Sequence, residues 1–187
     1  WFEGSLDRVA LENSIKEIIR RHEVLRTSFV EIDGHPKALV HPVTDWNVDV
    51  VSLPGLSDAE KASEFKRIAS QRAGRPIDLS RPPLLRACLI DFGSEQYGFL
   101  IEVHHISCDG WSLGILTQEL VQLYTAFCLG QPSPLPELQI QYADYARWHR
   151  KYIENGAMQS QIAYWQRKLR GPLPTIDLPL DRVRPPV

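Results

Sequence analysis

Between Asp7 and His22 the apolar residues Val9, Ile15, Ile18 and Ile19 stand among charges at helical spacing. Apolar positions three or four apart share one helix face, so the pattern predicts a helix, with Asp7 placed to cap it. The period then changes. Residues 21–29, RHEVLRTSF, end this helix and open a strand, Asp33-Gly34 reads as a hairpin turn, and Ala38-Leu39-Val40 returns. Val48–Val51 predicts another strand. Ser57-Asp58-Ala59-Glu60 has the spacing of a capping box and opens a helix to about Ala73, with Phe65, Ile68 and Ala69 inward. Leu84–Ile90 and Tyr97–Val103 predict two strands, joined through Gly93–Gln96 as an antiparallel hairpin. Leu113, Leu116, Leu120 and Leu123 mark a helix to about Leu129, with Gly130 as its stop. Residues 131–136, QPSPLP, are too rich in proline for a helix or a central strand. Two more helices are expected near 141–154 and 159–169. Their aromatics, Tyr142, Tyr145, Trp148, Tyr152, Tyr164 and Trp165, read as a packing stripe rather than a surface for stacked bases.

Composition narrows the classes. A hydrophobic share of 43% and a charged share of 24% suit a globular domain of 187 residues. A net charge of -2 gives no footprint for nucleic acid. No apolar run approaches the ~20 residues that span a bilayer, and no secretory leader opens the chain, so neither a membrane nor export is expected. Cys88, Cys108 and Cys128 are odd in number and widely spaced, which argues against a disulfide framework and for a reducing cytoplasm.

The candidate chemistry lies at 104–110, HHISCDG, between a predicted strand and a predicted helix. Such junctions present side chains on a loop held by rigid elements. If the strand runs on through the pair, His104 and His105 point to opposite faces and do not chelate a metal together. No Cys-x-x-Cys or His-x-x-x-His spacing adds ligands, so no metal is expected. Histidine suits proton transfer near neutral pH. Asp109 either orients a histidine, pairs with an arginine, or caps the helix, a role also open to Ser112. Cys108 is a nucleophile only if its surroundings supply a base and lower its pKa.

HHISCDG resembles the HHxxxDG signature of nonribosomal peptide synthetase condensation domains, shared with chloramphenicol acetyltransferase and related acyltransferases. RHEVLRTSF at 21–29 and Tyr142-Ala143-Asp144-Tyr145-Ala146 with Trp148 resemble two further condensation-domain motifs, in the same order. The resemblance implies an α+β fold, a chloramphenicol acetyltransferase-like lobe with a mixed, mostly antiparallel sheet covered by helices. It implies that residues 1–181 form the first, N-terminal lobe without its opening segment. Residues 182–187 would then start the linker to a second lobe.

The implied reaction is amide formation between a thioester donor and an amine acceptor, each on the phosphopantetheine arm of a carrier protein, with no cofactor bound directly. Implied partners are upstream and downstream peptidyl carrier domains, the second lobe and an adjacent adenylation domain. His105 would face the substrate tunnel, as a base or as a group that positions the amine. Gly110 would allow close approach of the thioester and offer its N–H to an oxyanion. His104 and Asp109 would support the motif, with Arg26, or else Arg21, as the cation for Asp109. Trp111 and Ser112 are substrate-channel candidates. An apolar patch is expected beside His105, where the second lobe would pack. The alternatives are a carrier-docking lobe without catalysis, a coenzyme A-dependent acyltransferase and an epimerization domain.

Overall fold

The computed structural model describes residues 1–43, 45–174, 179 and 181–182. The linker expected at 182–187 therefore lies outside the described residues beyond Arg182. The chain divides into two compact units, residues 1–143 and 144–187.

The first unit is built on one four-stranded sheet. Its strands are β1 (Phe2–Glu3), β4 (Asp49–Ser52), β5 (Leu85–Asp91) and β6 (Gln96–Val103), in the order β1-β6-β5-β4. β5 and β6 form the expected antiparallel hairpin, with Leu85 opposite Val103 and Asp91 opposite Tyr97. β4 runs parallel to β5, so their connection must cross over the sheet, and helix α2 (Asp58–Ala73) makes that crossing. Glu60 starts α2 by accepting from the Ser57 N–H at 2.8 Å and the Ser57 hydroxyl at 2.6 Å. A separate hairpin, β2 (Thr27–Ile32) with β3 (His35–Val40), turns at Asp33-Gly34, both left-handed, as the sequence predicts.

Side chains alternate across the sheet, and helices cover both faces. Leu85, Ala87 and Leu89 pack with α1 (Arg8–Arg21) and α3 (Gly110–Cys128). Cys88, Ile90 and Leu100 pack with Ile68 and Phe65 of α2. Gly98 belongs to this second face: a Cβ there would stand 2.7 Å from the Phe65 ring, so α2 sits this close only because the strand carries glycine. Asp7 caps α1, accepting from the Ala10 N–H at 2.9 Å. The buried stripe of α1 is Ala10, Leu11, Ser14, Ile15, Ile18 and Ile19, whereas Val9 is 68% exposed. Val9 lies nine residues from Ile18, half a turn out of phase at about 100° per residue, so it belongs to the solvent face.

The second unit carries most of α4 (Tyr142–Glu154) and all of α5 (Gln159–Lys168). Neither helix has a buried residue. The expected packing stripe is thus not buried among the described residues. Trp148 and Tyr152 stack at 5.4 Å, and Tyr164 meets Trp165 edge-on at 5.3 Å. No described helix is long and apolar enough to cross a membrane.

Candidate functional site

β6 ends at Val103, one residue before the histidine pair, so strand alternation does not set the two rings apart. A turn does. The His104 N–H still pairs with Leu84 O at 3.1 Å, and its carbonyl accepts from the N–H and the hydroxyl of Ser107, both at 3.0 Å. His104 Nδ1 accepts the Ile106 N–H at 3.1 Å, leaving Nε2 to carry the proton of the neutral ring. His104 therefore builds the turn. His105, at its tip, is exposed, and its ring makes no hydrogen bond among the described residues.

Asp109 is the N-cap of α3. Its carboxylate accepts from the Ser112 hydroxyl at 2.6 Å and the Ser112 N–H at 2.8 Å. The same two bonds, the hydroxyl first, hold its carboxyl below the usual aspartate range. Among the described residues it pairs with neither Arg26 nor Arg21, which corrects the expected ion pair. Asp109 is exposed, so water and the helix start already satisfy its charge. Arg26 is held in its own neighbourhood, donating to the carbonyls of His41 and Arg20 and meeting Glu23 at 3.4 Å.

Arg21 has a different carboxylate. It and His22 both converge on Glu119 of α3, at 3.3 Å and 2.8 Å, and Arg21 also donates to Pro136 O at 2.8 Å. The Arg21 side chain is 2% exposed. Burial pushes the Glu119 carboxyl up, but the bonds from His22 and Arg21 outweigh it and hold it below the ordinary range. Glu119 is not among the residues the sequence singles out. Its signal is a charge set between Leu116 and Leu123, on the buried stripe of α3.

His104, His105, Cys108, Asp109 and Gly110 line a cavity of about 640 Å³. Arg75, Pro76 and Ile77, which follow α2, line it too, as do Arg86, Ile101, Glu102 and Val103 of the sheet. Trp111 and Ser112 do not line it; Ser112 is spent on the cap, and Trp111 is 84% exposed. A Cβ at Gly110 would meet no atom within 4 Å, so the approach to its backbone is open. Burial, and then the Asp109 charge, push the Cys108 thiol up, the wrong direction for a thiolate nucleophile. Ile106, Trp111, Leu113 and Ile115, all within ten residues of His105 in sequence, are exposed.

The family model of the condensation domain matches residues 1–187. The chain is 46% identical over 185 residues to one of the proteins of linear gramicidin synthase from Brevibacillus parabrevis, a match that spans 99% of this chain and 4% of that protein. Two solved structures share the fold. The X-domain from teicoplanin biosynthesis superposes with a TM-score of 0.83 at 27% identity, covering 98% of this chain and 40% of that one. The epimerization domain from the third module of tyrocidine synthetase B gives 0.79 at 26% identity, covering 98% and 41%.

Proposed function

Because the chain belongs to the condensation-domain family, we propose that it supplies the histidine-bearing lobe of an amide-forming domain in nonribosomal peptide synthesis. The observation that carries this reading is the turn at 104–107. Its first histidine is consumed in structure, and its second is exposed on a cavity, beside an open glycine at a helix start.

The proposed step joins an amine to a thioester. The amine nitrogen attacks the thioester carbonyl carbon, a C–N bond forms, and the C–S bond breaks to release the phosphopantetheine thiol. An acceptor nitrogen on His105 orients the amine and takes its proton, which passes finally to the departing sulfur. The Gly110 N–H, at the first position of α3, faces the developing oxyanion with the helix dipole behind it. Both substrates arrive on carrier domains, from upstream and downstream. Residues 1–181 act as the N-terminal lobe, a second lobe closes the cleft, and an adjacent adenylation domain loads the amino acid. The exposed apolar side chains near His105 support a covering lobe. We place the reaction in the cytoplasm, where free Cys88, Cys108 and Cys128 stay reduced.

The test is transfer from an aminoacyl carrier to an aminoacyl acceptor carrier, by a condensation domain containing this chain and by its His105→Ala variant. Amide product from the first and none from the second is expected. Product at an equal rate from both removes His105 from the chemistry. Carrier binding by both without product from either favours a docking lobe.

A further inference from the structure

The Arg75–Ile77 wall of the cavity that His104 and His105 also line is held by a chain of charges. On the α2 face of the sheet the paired rows run Ile90 with Gly98, Cys88 with Leu100, then Arg86 with Glu102. The first two rows are apolar; the third, next to the turn, is an ion pair. Charges at the end of an apolar face cost desolvation, so their partners indicate their use. Arg86 Nη2 donates to the Arg75 carbonyl at 2.6 Å and lies 3.4 Å from Glu102. Glu102 accepts from Arg72 Nε at 2.7 Å, and Arg72 Nη1 reaches Asp49 at 2.9 Å. The chain of contacts from β4 through α2 and β6 to β5 thus ends on the backbone of Arg75. The Arg86 Nε–H is buried with no acceptor, so the guanidinium keeps this orientation at the loss of one hydrogen bond. Arg75, Pro76 and Ile77 belong to no helix or strand.

We propose that Arg86 is a positioning residue for specificity: through the Arg75 carbonyl it holds the Arg75–Ile77 wall, and that wall sets the size of the group that reaches His105. The inference rests on the proposed function only for what that group is, the side chain of a tethered donor or acceptor.

Two native thiols supply the gauge. Cys108 lines the cavity, and Cys88 is buried in the sheet. In a Cys128→Ser background, the rates at which N-methylmaleimide and the bulkier N-phenylmaleimide modify Cys108 are read by peptide mass spectrometry, each relative to free glutathione. Their ratio cancels the thiolate fraction and reports how readily the cavity admits the bulkier group. Arg86→Met keeps the side-chain stem and removes the donors. It should lower the preference for the small reagent roughly tenfold, the scale of one lost charge-assisted hydrogen bond. Cys88 should stay unmodified. An unchanged ratio with Cys88 protected overturns the proposal. If Arg86→Met exposes Cys88, Glu102→Gln decides, because it weakens the brace and leaves Arg86 in place. A partial fall in the ratio then supports the proposal, and no fall overturns it. The readout needs no peptide product, so its outcome is separate from that of the His105 experiment.

Discussion

The segments RHEVLRTSF and HHISCDG lie in the same unit, yet they spend their polar groups in opposite ways. The first is closed. Arg21 and His22 grip Glu119, Gln141 bonds the Glu23 N–H and the Arg21 carbonyl, and the Thr27 hydroxyl returns to Glu23 O at 2.6 Å. The two bonds to Glu119 tie the end of α1 to the middle of α3. The second segment sits at the start of α3 and is open: the His105 ring makes no hydrogen bond among the described residues, a Cβ at Gly110 would meet no atom within 4 Å, and both residues line a cavity. One motif fixes the helix, and the other is presented at its start. A string rich in Arg, His and Glu is therefore no guide to chemistry until its partners are counted.

The contrast can be broken by substitution. His105→Ala should have the largest effect on function, about 10²- to 10⁴-fold in transfer, the usual worth of a positioned proton acceptor. Its urea midpoint should match wild type, since the ring holds nothing in place. Glu119→Ala should do the reverse. Removing it strands the nearly buried Arg21, and the loss in unfolding free energy should be about 3 kcal/mol. Acid should sharpen the same point. The Glu119 carboxyl is held below its ordinary value of 4.5, so its contribution is complete above that value and is lost as pH falls through the lower folded-state one. The stability gap between wild type and Glu119→Gln should hold above the ordinary value of 4.5 and shrink as pH falls below it, as followed by urea unfolding. A gap independent of pH would place Glu119 outside the ionic knot. Asp109→Ala should give the smallest effect, a modest fall in melting temperature that Asn largely restores, because Asn can also accept the Ser112 N–H. A defect as large as that of Glu119→Ala would reinstate a buried partner for Asp109.

What is legible in the sequence is local. The Asp7 cap, the Ser57–Glu60 box, the Asp33-Gly34 turn and the β5–β6 hairpin each depend on residues a few positions apart, and each is present. Partners distant in sequence are not legible. Arg21 lies 98 residues from Glu119, and nothing in the spacing separates that carboxylate from Asp109. The phase of α1 misleads at Val9 because one apolar residue is counted without its angle. The end of β6 is set by the Ser107 bonds to His104, which favour a turn over one more strand residue. The cavity wall at Arg75–Ile77 is not foreseeable from spacing, since it depends on a crossover that brings the end of α2 beside β5 and β6.

Histidine-selective carbethoxylation of the native chain, resolved by peptide sequencing in the mass spectrometer, tests the contrast most directly. With the ring of His105 free and that of His22 bonded to Glu119 at 2.8 Å, His105 should react first and His22 should stay protected until the chain unfolds. In Glu119→Gln the protection of His22 should weaken while His105 is unchanged. Equal native reactivity of His22 and His105, or protection of His105, would contradict the division between a closed motif and an open one.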